Sequence, residues 1–180
     1  MGARDLLPVE SVATLSAGPS NRARRFRTAG PALHSTVRSV RLSAEPSLDP
    51  TAYPFSHAIR VRFAETDAMG IVHHSRYLPY LEETRVAYLR HLGHPYTELR
   101  AEGFDYAVLE CFVQYRQPLH FDEEVVVHLD LAVASRTTFQ MTYLLTVADE
   151  VRATGVTVHG CITLSGRPTR LPPWLVALAS

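Results

Sequence analysis

The sequence predicts an α+β domain, one long helix laid against an antiparallel sheet of five strands. Three observations predict it. The run "RYLPYLEETRVAYLRHLG" repeats its apolar residues at helical spacing. Four long runs rich in β-branched residues follow it: "FDYAVLECFVQYRQP", "EEVVVHLDLAVA", "RTTFQMTYLLTVAD" and "VRATGVTVHGCITLS". One short alternating run, "HAIRVRF", precedes it. Strand, long helix and then four strands in succession keep helix and sheet in separate layers instead of alternating them.

In the first strand, His57 to Phe63, Ile59, Val61 and Phe63 share one side. Gly70 permits the turn after it. Ser75 is a good N-cap type, and Pro79 is tolerable only in a first turn, so the helix starts near Ser75 to Arg76. Tyr77, Leu81, Tyr88 and Leu92 recur along it, as do Leu78, Leu81, Arg85 and Leu89. Gly93 and Pro95 end it after about five turns. The four later runs, joined by short connections, read as an antiparallel meander. The ending "PPWLVALA" suggests a short terminal helix. A sheet with one covering helix leaves its other face and its edges exposed, so a homodimer or homotetramer is expected.

Residues 1–52 differ from the rest, being rich in Ser, Ala, Pro and Arg with no sustained period. They read as a disordered tail or an over-long start, with the folded domain over 53–180. The stretch from Ser11 to Ala44 also has the basic, acid-poor look of a transit peptide.

Bulk numbers remove several function classes. Formal net charge is zero, from 18 basic and 18 acidic residues, all the basic ones arginine. That balance speaks against nucleic acid or a membrane surface as partner. No apolar run reaches the roughly 18–20 residues that span a bilayer. The two cysteines, Cys111 and Cys161, sit in apolar runs without a CxxC or Cys/His pattern. They read as reduced core thiols in a cytoplasmic protein, with no metal site and no cofactor. A Gly-rich phosphate loop and a G-x-S-x-G elbow are both missing from the sequence.

The chemistry concentrates in "ETDAMGIVHHSRYLPYLEETR". Thr66, Asp67, Ala68, Met69, Gly70, Ile71, Val72, His73, His74, Ser75, Arg76 and Tyr77 run in unbroken order, with Tyr80, Glu82 and Arg85 beyond. Together with the later "VQYRQPLHFDEEV", this resembles the hotdog-fold acyl-CoA thioesterases, in the 4-hydroxybenzoyl-CoA thioesterase-like and Tol-Pal-associated group. The resemblance covers about residues 57–172. It implies the hotdog fold, one long helix wrapped by a five-stranded antiparallel sheet, and hydrolysis of an acyl-CoA to free acid and CoA.

Thioester hydrolysis requires an attacking group and donors for the oxyanion that develops. The resemblance implies Asp67 as base or nucleophile, at a subunit interface. It implies the backbone amide of His74 as polarising donor, at a helix N-terminus whose first amides lack intrahelical partners. Gly70 leaves room for close approach. Asp67 also has a plainer reading, as the cap of its own turn. Tyr77 and Glu82 are carried as substrate-binding candidates, although Tyr77 lies on the apolar stripe and Glu82 can pair with Arg85. Ser135, Arg136 and Thr137, in the turn "ASRTTF", are candidates for the phosphate end of CoA, since a guanidinium fork suits phosphate. A non-catalytic acyl-CoA-binding or sensor protein is the alternative. A hotdog hydratase would need an Asp–His pair in a motif that the sequence lacks.

Overall fold

The computed structural model describes residues 42–179. Five strands form one sheet: β1 (Phe55–Arg60), β2 (Phe104–Tyr115), β3 (Glu124–Ala134), β4 (Thr138–Val147) and β5 (Glu150–Thr163). Three helices accompany them: α1 (Tyr77–His91), α2 (Tyr96–Ala101) and α3 (Pro173–Leu178). All pairings are antiparallel, in the order β1-β3-β4-β5-β2.

That order corrects the meander expectation. Only β3, β4 and β5 run as consecutive neighbours; β2 lies beyond β5 at the far edge, and the chain returns to place β3 beside β1. Strand propensity reports that a run is extended and says nothing of which strand it pairs with. The first strand is also shorter than its alternation suggests. It ends at Arg60, and Phe63 opens a 3₁₀ turn with its ring 75% exposed.

A 3₁₀ turn, His74–Arg76, leads directly into α1. Its N-cap is His73, not Ser75: the imidazole Nδ1 accepts the Ser75 amide at 3.3 Å, as a capping hydroxyl would elsewhere. Pro79 falls in the first turn of α1, where its missing N–H costs nothing. The helix buries Tyr77, Tyr80, Leu81, Thr84, Arg85, Tyr88 and Leu89, whereas Leu78 is exposed. The core forms where this side meets Phe139, Met141, Tyr143 and Leu145 of β4. Contact is close at Gly155 of β5, where an added Cβ would stand 3.0 Å from Leu81 Cδ1.

Two features depart from the sequence expectation. The short helix α2, anchored by buried Leu99, was not anticipated. The outer face of the central strands is also not open: Gln140, Thr142, Leu144 and Thr146 are buried on β4. Part of the reason is that Ser43, Ala44 and Tyr53 lie on that face. The Ser43 and Ala44 amides donate to Gln140 Oε1 at 3.0 and 3.2 Å, and Tyr53 packs on His128 at 6.1 Å. Residues 1–41 lie outside the described residues. Exposure gathers instead on edge strand β2, at Val108, Leu109, Phe112 and Tyr115. The terminal helix α3 is present, with Leu175 in the core and Trp174 stacked on His94 at 3.8 Å. Among the described residues, no helix is long and apolar enough to cross a membrane.

Candidate active site

The loop between β1 and α1 is pinned from beneath by Glu65, which is only 3% exposed. Its carboxylate accepts the Arg62 amide at 2.8 Å, the Arg62 guanidinium at 2.6 and 3.0 Å, and the Tyr80 hydroxyl at 2.7 Å. Burial alone would raise the Glu65 carboxyl, but the Arg62 and Tyr80 hydrogen bonds outweigh it and hold the group below its ordinary range. Of these four bonds three fasten the Glu65 carboxylate to Arg62 within the loop, and the fourth, from Tyr80, ties the loop to α1.

Above this anchor the chain makes a tight return. Asp67 N–H donates to Ile71 O at 2.9 Å, Gly70 N–H to Asp67 O at 2.9 Å, and Thr66 bridges to Val72. Gly70 sits at φ +75, a conformation that strains any residue with a Cβ. Val72 N–H donates to Leu119 O at 2.8 Å, and His73 N–H to Glu65 O at 2.9 Å. Asp67 Oδ1 accepts the Met69 amide at 2.8 Å, and so caps the turn. The other carboxylate oxygen has no hydrogen-bond partner among the described residues.

Asp67, His74 and Tyr77 come together on a cleft of about 370 Å³, which is closed on its far side by Tyr115, Arg116, Gln117 and Pro118. His74 opens the turn into α1, and its amide has no acceptor among the described residues. Its carbonyl accepts from the Tyr115 hydroxyl at 3.2 Å. Tyr77 is buried edge-on against Tyr115 at 4.8 Å, and burial raises its phenol to about 12, so it stays protonated near neutrality. The Arg116–Pro118 wall hangs from Arg152, whose carbonyl accepts the Arg116 and Gln117 amides at 2.9 and 3.0 Å. The Arg152 guanidinium reaches Pro118 O at 3.1 Å and Glu123 and Glu150 at 3.5 Å each.

A free carboxylate oxygen, an unbonded amide at a helix start and an apolar-walled cleft are the parts of an acyl-transfer site. The sequence profile of the thioesterase-like superfamily matches residues 61–178. The chain belongs to that superfamily. It is 40% identical over 119 residues to a putative esterase of Aquifex aeolicus, covering 66% of this chain and 92% of the relative. It is 27% identical over 125 residues to the acyl-CoA thioester hydrolase YbgC of Escherichia coli, covering 68% of this chain and 93% of YbgC. The crystal structure of a hypothetical Aquifex aeolicus protein superposes with a TM-score of 0.67 at 37% identity, over 71% of this chain and all of the other. The fold is the hotdog fold that the resemblance implied.

Within this thioesterase-like chain the other sequence candidates scatter. Gly70 shapes the turn without lining the cleft. Glu82 is exposed and forms no ion pair with Arg85, which is buried; the helical spacing that permits a pair does not make one here. Glu82 lines a second pocket further along α1. Ser135, Arg136 and Thr137 form the β3–β4 turn, where Ser135 Oγ meets Thr138 and Arg136 O accepts from Leu171. They line neither hollow. Sequence reasoning missed Glu65 and the Tyr115–Pro118 wall. The signal for Glu65 was local, an acid three residues after Arg62, but its burial was not readable from that spacing.

Proposed function

We propose that this thioesterase-family chain hydrolyses an acyl-CoA thioester to free acid and CoA. Asp67 acts as base or nucleophile, and the His74 amide serves as oxyanion donor. What carries the reading is that Asp67 and the unbonded His74 amide belong to one cleft. The similarity to YbgC gives the substrate class.

In the base route, Asp67 takes a proton from water while the hydroxide adds to the carbonyl carbon. In the nucleophile route, the carboxylate adds directly and water later cleaves the anhydride. Either way the carbonyl oxygen gains charge beside the His74 N–H, where the helix dipole also favours it. The C–S bond then breaks, and the CoA sulfur leaves and takes up a proton. Losing one such donor costs about 10²–10³ in rate in other acyl-transfer enzymes.

The phosphate end of CoA is assigned to the β3–β4 turn, with Arg136 as the cation and Ser135 and Thr137 beside it. Because these lie apart from the cleft, the assignment requires CoA to reach across an assembled pair of subunits. A homodimer or homotetramer is supported by edge strand β2, which leaves one row of backbone groups and four large apolar side chains open.

The test is release of free thiol from a panel of acyl-CoAs, with sedimentation measured alongside. Asp67→Asn is the informative variant, because an amide oxygen still caps the Met69 N–H while the carboxylate is gone. Turnover is expected to fall about 10²–10⁴-fold. Undiminished turnover removes Asp67 from the mechanism, and a monomer in solution removes the shared site.

A further inference from the structure

One turn beyond the cleft, a pocket of about 270 Å³ opens between α1 and the inner face of the sheet. Leu78, Leu81 and Val108 give it hydrocarbon walls, and Arg85 and His159 give it a polar floor. Both polar residues are deeply buried, at 6% and 1% exposed. Both also have an atom left over. Arg85 Nη1 and His159 Nδ1 are buried with no hydrogen-bond partner among the described residues.

The Arg85 guanidinium is a buried positive charge without a counter-ion among the described residues. It stands 5.8 Å from the centre of the Tyr96 ring, and no acid among the described residues is within ion-pair distance. Glu82, exposed at the rim, leaves it unneutralised. Burying a charge is costly unless something pairs with it, and guanidinium geometry matches a carboxylate. His159 Nε2 meets Thr157 Oγ1 at 2.8 Å, and Thr157 meets the Tyr143 hydroxyl at 3.2 Å. When that hydroxyl chain donates toward Nε2, Nδ1 carries the hydrogen and is left as a buried donor beside the pocket, without a partner among the described residues. Burial first, and then Arg85, push the His159 imidazole down to about 3, so it donates as a neutral ring.

We propose that this pocket is an anion site for a carboxylate carried at the far end of the acyl group. Arg85 supplies the charge and one N–H, and His159 supplies a second donor. The inference rests on the thioesterase reading above and names its substrate class: acyl-CoAs whose acyl part ends in a second carboxylate. Placement supports this. Tyr77 of the cleft and Arg85 of the pocket lie along one helix, about 12 Å apart at 1.5 Å per residue, which an extended chain of about eight methylenes bridges.

The experiment compares suberoyl-CoA and sebacoyl-CoA with octanoyl-CoA and decanoyl-CoA on the full chain, and measures binding of free adipate by calorimetry. The parent is expected to prefer the carboxylated member of each pair by about tenfold or more in kcat/KM. In Arg85→Gln that ratio should collapse, in Arg85→Lys part of it should return, and in His159→Gln it should fall by less. Adipate should bind the parent and not Arg85→Gln. A parent with no preference and no adipate binding overturns the site, as does a ratio untouched by Arg85→Gln. So does an Arg85→Gln chain that loses subunits while the parent ignores adipate, since a second copy's acid then fills the pocket. If Arg85→Gln fails to fold, the parent ratio, adipate binding and His159→Gln decide the matter. Adipate binding without turnover of any thioester keeps the anion site and sinks the thioesterase reading. Turnover of methyl-ended esters without adipate binding does the reverse.

Discussion

The two hollows along α1 are built in opposite ways. At the helix start, Asp67 is half-buried and His74 exposed, and the loop backbone that carries them is tied down at Asp67, Gly70, Val72 and His73. Further along, Arg85 and His159 are buried side chains on regular elements, and there the atoms without a partner among the described residues are themselves buried. The difference matches the two roles proposed for them. A hydrolytic site needs water and free reactive atoms, so its precision must come from over-determined backbone. A recognition site gains from excluding water, because a charge acts more strongly where the dielectric is low. The same helix lines both, with Tyr77 at one and Leu81 and Arg85 at the other.

That contrast can be broken at several points. The largest effect belongs to Asp67→Asn, which should lower turnover by about 10²–10⁴-fold while changing stability by less than about 0.5 kcal/mol, since the turn cap survives. A thermal melt showing a large loss would make Asp67 a structural residue first. Next comes Glu65→Gln. Replacing the buried carboxylate that accepts from Arg62 and Tyr80 should cost about 1–3 kcal/mol by denaturant titration, since the exposed Arg62 regains water, and turnover should fall with it because the loop loses its anchor. A variant as stable as the parent would mean that the loop is held elsewhere.

The pocket should declare itself in acid. His159 has its pKa depressed from an ordinary 6.5 to about 3, so between those values the unfolded chain binds a proton that the folded chain refuses. Stability should therefore fall as pH drops through that window, with a slope of up to about 1.4 kcal/mol per pH unit. His159→Gln should flatten this limb, leaving the smaller contribution of His128, which is lowered too. It should also leave the loss from Glu65, whose depressed carboxyl adds stability that disappears below its ordinary 4.5. A limb unchanged in His159→Gln would assign the acid sensitivity elsewhere.

The smallest effect lies outside both hollows. The β4–β5 hairpin turns through Ala148 and Asp149 with φ of 46 and 67. Alanine is poorly suited to that region, and Ala148→Asn should stabilise by up to about 1 kcal/mol without altering either turnover or acyl preference. A change in turnover here would show that the two hollows are not insulated from the hairpin end of the sheet.

Much of the cleft was legible because it is local. Asp67, Gly70 and His74 fall within one short stretch, and a turn followed by a helix start brings them together by chain geometry alone. The helical period also identified Tyr77, Leu81 and Tyr88 as buried, though it counted Leu78 with them. Arg85 was legible only as a member of a helical row. Its burial opposite His159 was not, because helix and strand periods say which side of an element faces inward and nothing about what stands across from it. The same blindness hid the Tyr115–Pro118 wall and put β2 in the wrong place in the sheet. Ser135, Arg136 and Thr137 are a sound hairpin turn, but one that lies away from the cleft within a single chain.

By itself, the sequence determined the elements and the turn chemistry: where apolar residues recur at 3.6 or 2, where Pro79 and Gly93 bound a helix, and where Asp67 meets Gly70. These depend on neighbours a few residues apart, whose geometry the backbone dictates. Strand order, the burial of Glu65, and the meeting of Arg85 with His159 were decided only in the tertiary structure. They join residues distant in the chain, and the free energy that selects them comes from packing many surfaces at once, which no local pattern records.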